Sequence, residues 1–520
     1  MHTPTAVPTN YVPQALALFD RYGPAEAIVY ADRRLTYTEL GDGIRQLAEA
    51  LRGQGFRAGQ AVAVVANNHP DVVMLHFALH LLGCRSVWVA HAPLEHQLDF
   101  LRQARPDALV YDPRTHAEAG AGLAGGTGLT AVFSLGPGPL GTDLWQAPRR
   151  ALDPADVTGE PSSVFQTSGT TGRPKLVHHR NLLFHTILDL ATRWVGAGRP
   201  TRHLYYGVFW HVSSQLGVMG MLFAGGTQVM CDSFDVARFY ALVERERITS
   251  TNGATPRLYE MLDSPLLDRT DLSTLQMISV GGSTVAPARL AESLRRFGPI
   301  VRVAYGMSEA PLITELNADE HTPDRPHLLR SCGRAYGDMR IAIRDDTGRD
   351  LPAGEHGQVW ISGSLVMAGY WGQPELTAGT LVDGWLRTGD TGHLDEDGYL
   401  YLVGREQDRI ITGPGATNVY PGPIEDVLTA HPDVHDAAVV AVPDDAYGEA
   451  VYAFVVPGPG ATVTPGQLRD LVTERLNAIW TPREVEFVDA LPTIGYGKVD
   501  KRKLRDRYLA RTGAAAGPHR

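Results

Sequence analysis

Between residues 26 and 112 the hydrophobic period of the chain changes repeatedly, and this alternation limits the fold more than any other feature of the sequence. AIVY is a short apolar run, and LTYTELGDGIRQLAEALRGQG carries apolar residues at helical spacing. AVAVVANN reads as a buried strand and VVMLHFALHLLG as a buried helix; SVWVA, a helix around LEHQLDFLRQA, and ALVYD continue the series. Such strand–helix alternation predicts a largely parallel, doubly wound α/β architecture. At 520 residues the chain exceeds one simple core and calls for two or more domains. The Gly/Pro-rich span 118–142 is expected to be a surface loop.

The net charge of −11 argues against a general nucleic-acid or anionic-membrane binder, yet leaves room for a nucleotide held by local cations. No apolar run reaches about 18 residues, so no membrane span is expected. The opening MHTPTAVPTNYVPQ lacks a basic n-region and an apolar h-region. Cys84, Cys231 and Cys332 are scattered without a CxxC, so a cytoplasmic chain without disulfides is expected. His76, His80 and Cys84 have zinc-like spacing, but their apolar surroundings favour core packing.

The stretch that carries chemistry is Val164–Lys175, VFQTSGTTGRPK, in which a short strand empties into a loop of Ser, Thr and Gly. Gly169 and Gly172 allow close backbone approach to a ligand. Thr167, Ser168, Thr170 and Thr171 add hydroxyls, successive N–H groups form an anion nest, and Lys175 adds a mobile cation. These suit a polyphosphate. The spacing is not that of a Walker loop, which needs GxxxxGK[ST].

TSGTTGRPK closely resembles the phosphate loop of the adenylate-forming superfamily, which includes acyl- and aryl-CoA ligases, nonribosomal peptide adenylation domains and firefly luciferase. Other motifs of that family follow in order over roughly residues 26–504, and the acyl-CoA synthetases are the nearest group. Phe209-Trp210-His211 resembles the aromatic–His step lining the acyl pocket, and ITSTNGATPRLYEML its strand–loop–helix wall, with Asn252 to Pro256 as the loop. Gly281-Gly282-Ser283, read as opening a helix, matches the segment bordering adenine. Tyr305-Gly306-Met307-Ser308-Glu309 resembles YGxTE, which implies adenine against Tyr305, a hydroxyl from Ser308 near the phosphates and Mg²⁺ on Glu309. Met307 and Ala310 are expected at the acid pocket with Phe209, Trp210, His211, Asn252 and Gly281.

Asp390 in LRTGD matches the ribose-binding carboxylate, and Arg405 in GRE an arginine contacting ribose and phosphates. Asp395, Glu396 and Asp397 before Gly398 are read as a hairpin turn rather than a calcium site. Asp408 matches the hinge, dividing a large N-terminal domain of doubly wound mixed sheets (1–404) from a small mobile α+β C-terminal domain (405–520). Thr464 and Pro465 suit the N-cap and first turn of a helix there. Lys498, in LPTIGYGKVDKRKL, matches the C-terminal catalytic lysine.

The resemblance implies ATP-dependent activation of an acid, an aromatic or medium-chain carboxylate, to acyl-AMP with pyrophosphate release. Lys498, Glu309, Thr170 and Lys175 are the expected catalytic groups, with transfer to CoA following a swing about Asp408. Three departures stand out. ITGPGATNVYP, with Pro414 between Gly413 and Gly415, is about two residues longer than the family pattern. Leu176 follows Lys175 where Gly is common, and IWTPRE replaces a frequent Tyr-Lys-x-Pro. The first falls where family ligases pass the pantetheine arm. It keeps other acceptors or acids in view: a carrier protein in trans, an amine, or nitrite activated to diazotise an aryl amine. A homodimer and a non-catalytic nucleotide-binding protein are further alternatives.

Overall fold

The computed structural model describes residues 9–167, 175–191, 201–322, 324–414, 417–494 and 498–512. Two large sheets carry the parallel strands that the alternation predicts. In the first, Ser162–Thr167, Arg85–Trp88, Ala61–Val65, Ala108–Tyr111, Val132–Ser134 and Thr142–Asp143 run parallel. Lys175–Arg180 and Gly369–Tyr370 add antiparallel at one edge. In the second, Val301–Met307, Met277–Gly281, Ser250–Ala254, Arg202–Tyr205, Thr227–Met230 and Glu26–Tyr30 are parallel. Antiparallel strands close both of its edges.

One core joins the two sheets. Val62, Val64, Phe165 and Val177 from the first share it with Ile28, Tyr205 and Met230 from the second. Helix Pro70–Leu81, buried at every position, runs through this core, which explains why it is apolar all round apart from Asp71, His76 and His80. The outer faces are covered by Leu94–Ala104 and Pro113–Thr127 on the first sheet and by Val236–Arg245, Thr255–Asp263 and Pro287–Phe297 on the second. A smaller antiparallel sheet of Arg340–Arg344, Gly357–Ser362, Leu381–Val382, Trp385–Leu394 and Leu400–Arg405 follows.

Beyond it, Val434–Asp444, Gly448–Pro457 and Glu484–Phe487 form a three-stranded sheet with a core on each face. Val439 packs toward helices Pro421–Thr429 and Pro465–Arg475, while its neighbour Val440 packs toward Leu504 and Tyr508 of Lys501–Thr512, as period-two side chains require. Thr464 caps its helix in a reciprocal box with Gln467, and Pro465 occupies the first turn.

Several local readings change. Residues 113–127 are helical: Asp112 caps the N-terminus, Pro113 opens the helix, and Gly128 ends it in the left-handed region. A Cβ on Gly120 would come within 2.7 Å of the Tyr111 ring, so glycine there serves close packing. HHRNLLFHTILDLATRW reads in sequence as one helix, yet Lys175–Arg180 is a strand and the helix begins only at Asn181, because the six residues pair in full with Ser162–Thr167 across the loop. Residues 192–200 lie outside the described residues. Strand Ser250–Ala254 passes directly into its helix at Thr255, with no loop between them. The helix expected at Gly281–Ser283 starts at Pro287, whose ring fixes φ for the first turn.

His76 and His80 are core residues. The Tyr11 hydroxyl lies 3.0 Å from His80 Nδ1 and 3.3 Å from His76 Nε2, and Ser163 Oγ is 3.1 Å from His80 Nε2. Cys84 Sγ donates to the Arg57 carbonyl.

Burial holds several histidines neutral. It lowers His80 from the ordinary 6.5 to about 3, and His178, His179, His203 and His211 to about 4. The unfolded chain protonates these rings near pH 6.5 and the folded chain does not. Their contribution is therefore complete above pH 6.5 and is lost as pH falls toward 4. At pH 5 each disfavours the folded state by on the order of 1–2 kcal/mol. Thermal melts taken from pH 7 to pH 4.5 should show a steep, largely histidine-driven fall; a flat midpoint would contradict burial of neutral rings.

Candidate active site

The functional side chains gather beyond the C-terminal ends of parallel strands, where open α/β sheets bind ligands. Thr167 ends one strand and Lys175 begins the next, opposite it in register. Ser168, Gly169, Thr170, Thr171 and Gly172 lie outside the described residues.

On the second sheet, Ala254, Gly281 and Ala304 are neighbours across three strands. A Cβ on Gly281 would meet the Ala304 carbonyl at 2.6 Å, so only glycine keeps this surface flat. Gly282 turns with positive φ, and the Thr255 hydroxyl donates to the Ser283 carbonyl at 2.8 Å. Asn252 Oδ1 accepts from His203 Nε2, 2.9 Å away, where the neutral ring can donate. Phe209 is fully buried against Trp88 and His76, and its N–H donates to Asn68 Oδ1; Trp210 and His211 beside it are half-buried.

Tyr305, Asp390 and Arg405 form a compact cluster. The Tyr305 hydroxyl donates to Asp390 Oδ2 at 2.5 Å, and Arg405 Nε is 3.1 Å from Asp390 Oδ1. Asp390 and Arg405 face each other across the hairpin Trp385–Arg405, whose tip is the Asp395–Gly398 turn. Asp395 makes that turn by accepting the N–H groups of Asp397 and Tyr399. Burial, then the Asp390 charge, pushes the Tyr305 phenol well above its usual range, so it stays a donor. Burial works against the Arg405 cation, but Asp390 together with the other acidic groups around it outweighs burial and raises its pKa.

Glu309 sits at the turn between Val301–Met307 and Ala310–Leu316, where Met307 and the fully buried Ala310 are opposite each other, with Gly306 and Ser308 alongside. It is buried, yet its Oε1 has one partner, the Tyr370 hydroxyl at 2.7 Å. Its Oε2 has none among the described residues, which leaves an oxygen suited to a hard cation. Lys175 Nζ stands 5.4 Å from the centre of the Tyr370 ring.

Tyr370 and His179 are site residues that the motifs did not indicate. Neutral His179 lies with Nε2 2.8 Å from the Ser308 carbonyl, tying the Glu309 turn to the strand after the phosphate loop. Segment 367–371 completes the tie. Met367 N–H donates to the Glu309 carbonyl, Ala368 N–H to that of His178, and Trp371 N–H to that of Leu176. A buried Tyr within AGYWG was the only local signal.

Asp408 ends a short 3₁₀ turn, Glu406–Asp408. The hairpin Ile410–Thr412 with Thr417–Val419 follows, and Gly415 at its tip lies outside the described residues. Lys498 pairs through its backbone with Ile494 in another hairpin. Among the described residues no helix is long and apolar enough to cross a membrane.

A flat glycine-edged strand surface and a buried aspartate bridged by a tyrosine and an arginine thus sit on an α/β fold. The chain belongs to the AMP-binding enzyme family: that family's model matches residues 17–371, and the model of its C-terminal domain matches 423–498. A medium/long-chain-fatty-acid–CoA ligase of Mycobacterium tuberculosis is 34% identical, over 98% of this chain and 92% of its own. A feruloyl-CoA synthase of Amycolatopsis is 34% identical, over 93% and 96%. Among solved structures, the amide bond synthetase McbA from Marinactinospora thermotolerans superposes with a TM-score of 0.87, at 36% identity over 96% of this chain and 100% of that one.

Proposed function

We propose that the chain is an AMP-forming ligase that activates a carboxylic acid with ATP and passes the acyl group to the thiol of CoA. The observation that supports this best is the closeness of the Tyr305–Asp390–Arg405 cluster to the Glu309–Tyr370–Lys175 chain. Arg405 acts electrostatically on both Glu309 and Tyr370.

In this reading adenine lies along Gly281–Ser283 against Tyr305, and Asp390 accepts from the ribose hydroxyls. Arg405 offsets negative charge there, while residues 167–172 and Lys175 hold the phosphates. Glu309 supplies a carboxylate oxygen for Mg²⁺, which would neutralise phosphate charge when bound. The acid's oxyanion attacks the α-phosphorus, and the bond to pyrophosphate breaks as acyl-AMP forms. Charge builds on the phosphoryl oxygens, and Lys498 is the cation that would offset it. The division at 404/405, with Asp408 as pivot, then lets the C-terminal domain turn and bring the loop after Asp408 to the acyl-AMP. The thiol attacks its carbonyl and AMP leaves.

Two observations favour a second reading, in which an amine takes the acyl group as an amide. The loop after Asp408 is longer than the family pattern, and the amide bond synthetase matches the chain over nearly its whole length. The test is a panel of aromatic and medium-chain acids with Mg-ATP, recording pyrophosphate release and products by mass spectrometry. Each acid is run with CoA, with an amine, or with neither. Acyl-CoA formed only with CoA supports the first reading, and amide formed in preference to thioester supports the second. No pyrophosphate release with any acid would sink both.

A further inference from the structure

We infer that Tyr370 is a positioning residue for the metal-binding carboxylate, coupling Glu309 to the lysine that closes the phosphate loop. This rests on the reading of Glu309 given above. Three observations carry it. The Tyr370 hydroxyl is the one partner of Glu309 Oε1 among the described residues, at 2.7 Å, in a buried setting. The same ring presents a face to Lys175, whose Nζ is 5.4 Å from its centre. The backbone around Tyr370 is pinned on both sides: Tyr370 pairs with Val177, Met367 N–H bonds the Glu309 carbonyl, and Trp371 N–H bonds the Leu176 carbonyl.

The physical consequence follows from geometry. A glutamate at a hairpin turn has three side-chain torsions, and a buried donor on one oxygen selects one rotamer. That leaves Oε2 presented in a fixed direction, as hydrogen-bonded carboxylate ligands are in metal sites generally. The phenol is the donor here, because an ionised carboxylate oxygen can only accept. Gly369 makes the arrangement accessible: its φ is +144°, and a Cβ would come within 2.7 Å of Thr377 Cγ2. Glycine is therefore the residue that fits the strand edge just before Tyr370. The aromatic face offers Lys175 a weak cation–π contact, so a single side chain bears on two groups that meet the same polyphosphate.

Tyr370→Phe removes the hydroxyl and keeps the ring; Tyr370→Leu removes both. The Mg²⁺ midpoint of pyrophosphate release should rise roughly tenfold in Tyr370→Phe, by the size usual for loss of an outer-shell partner. Binding of Mn²⁺ with a non-hydrolysable ATP analogue, followed by electron paramagnetic resonance, should weaken in parallel. Tyr370→Leu should add a rise in the KM for ATP, since Lys175 loses its neighbour as well. A lower kcat with an unmoved metal midpoint in both titrations would mark Tyr370 as merely structural and overturn the inference. Glu309→Gln is titrated beside them. If its metal midpoint shifts and that of Tyr370→Phe does not, only this inference fails; if its midpoint is also unmoved, the reading of Glu309 falls and the inference with it.

Discussion

Lys498→Ala is expected to lower ATP–pyrophosphate exchange by roughly 10²–10³-fold, the loss typical when one group offsetting transition-state charge is removed. The melting temperature should stay near that of the parent, because Lys498 lies on a two-residue strand of a small hairpin that is separate from the three-stranded sheet. The informative comparison supplies synthetic acyl-AMP. If Lys498 serves only the first half-reaction, transfer from supplied acyl-AMP to the acceptor continues at close to the parent rate. Equal loss in both halves would mean that the variant perturbs the acceptor step too. Unchanged exchange would remove Lys498 from the mechanism.

The second large effect concerns Asp390. Asp390→Ala leaves a half-buried guanidinium without its ion partner and the Tyr305 hydroxyl without its acceptor. Breaking a fully buried pair from one side costs about 3 kcal/mol or more; solvent at the exposed part of Arg405 reduces that cost here, and the lost ligand contact adds to it. The KM for ATP should rise by roughly 10²-fold, with a smaller change in the KM for the acid, and AMP binding followed by calorimetry should weaken to match. Asp390→Asn keeps the shape and one acceptor, so its loss should be smaller. A variant whose KM for ATP matches that of the parent would separate this cluster from nucleotide binding.

The two variants probe parts of the molecule that differ in how openly the sequence displays them. The hairpin itself is legible from the turn at Asp395–Gly398, which sets Leu394 opposite Leu400. That register alone would place Asp390 opposite Gly404; a bulge between Thr391 and Gly392 shifts it by one residue and brings Arg405 opposite Asp390. The parallel sheets are legible as well, since a buried strand between two covered faces has to be apolar throughout. Tyr370 and Glu309 meet without any such local rule. Tyr370 lies on an edge strand of the first sheet and Glu309 on a turn of the second, and the packing of segment 367–371 against Lys175–Arg180 brings them together. Residues 113–127 mislead in the opposite direction. Their glycines count against a helix by propensity, and the Asp112 cap and the Gly120–Tyr111 contact outweigh that cost. Lys175–Arg180 is a strand because a hairpin partner satisfies its backbone, which no window of its own residues reveals.

The C-terminal sheet completes both of its cores within residues 410–508, with Ile410 and Val419 on one face and Leu504 and Tyr508 on the other. This bears on how such a protein changes over generations. Gly413 and Pro414, just past Ile410–Thr412, belong to neither of these cores and to none of the strands around Glu309 and Asp390. If the loop after Asp408 meets the acceptor, as proposed above, lineages can try new partners for the activated acyl group without eroding the machinery that makes it. Heritable drift in what the enzyme hands its product to is mechanically cheap, while drift in the nucleotide it consumes is not.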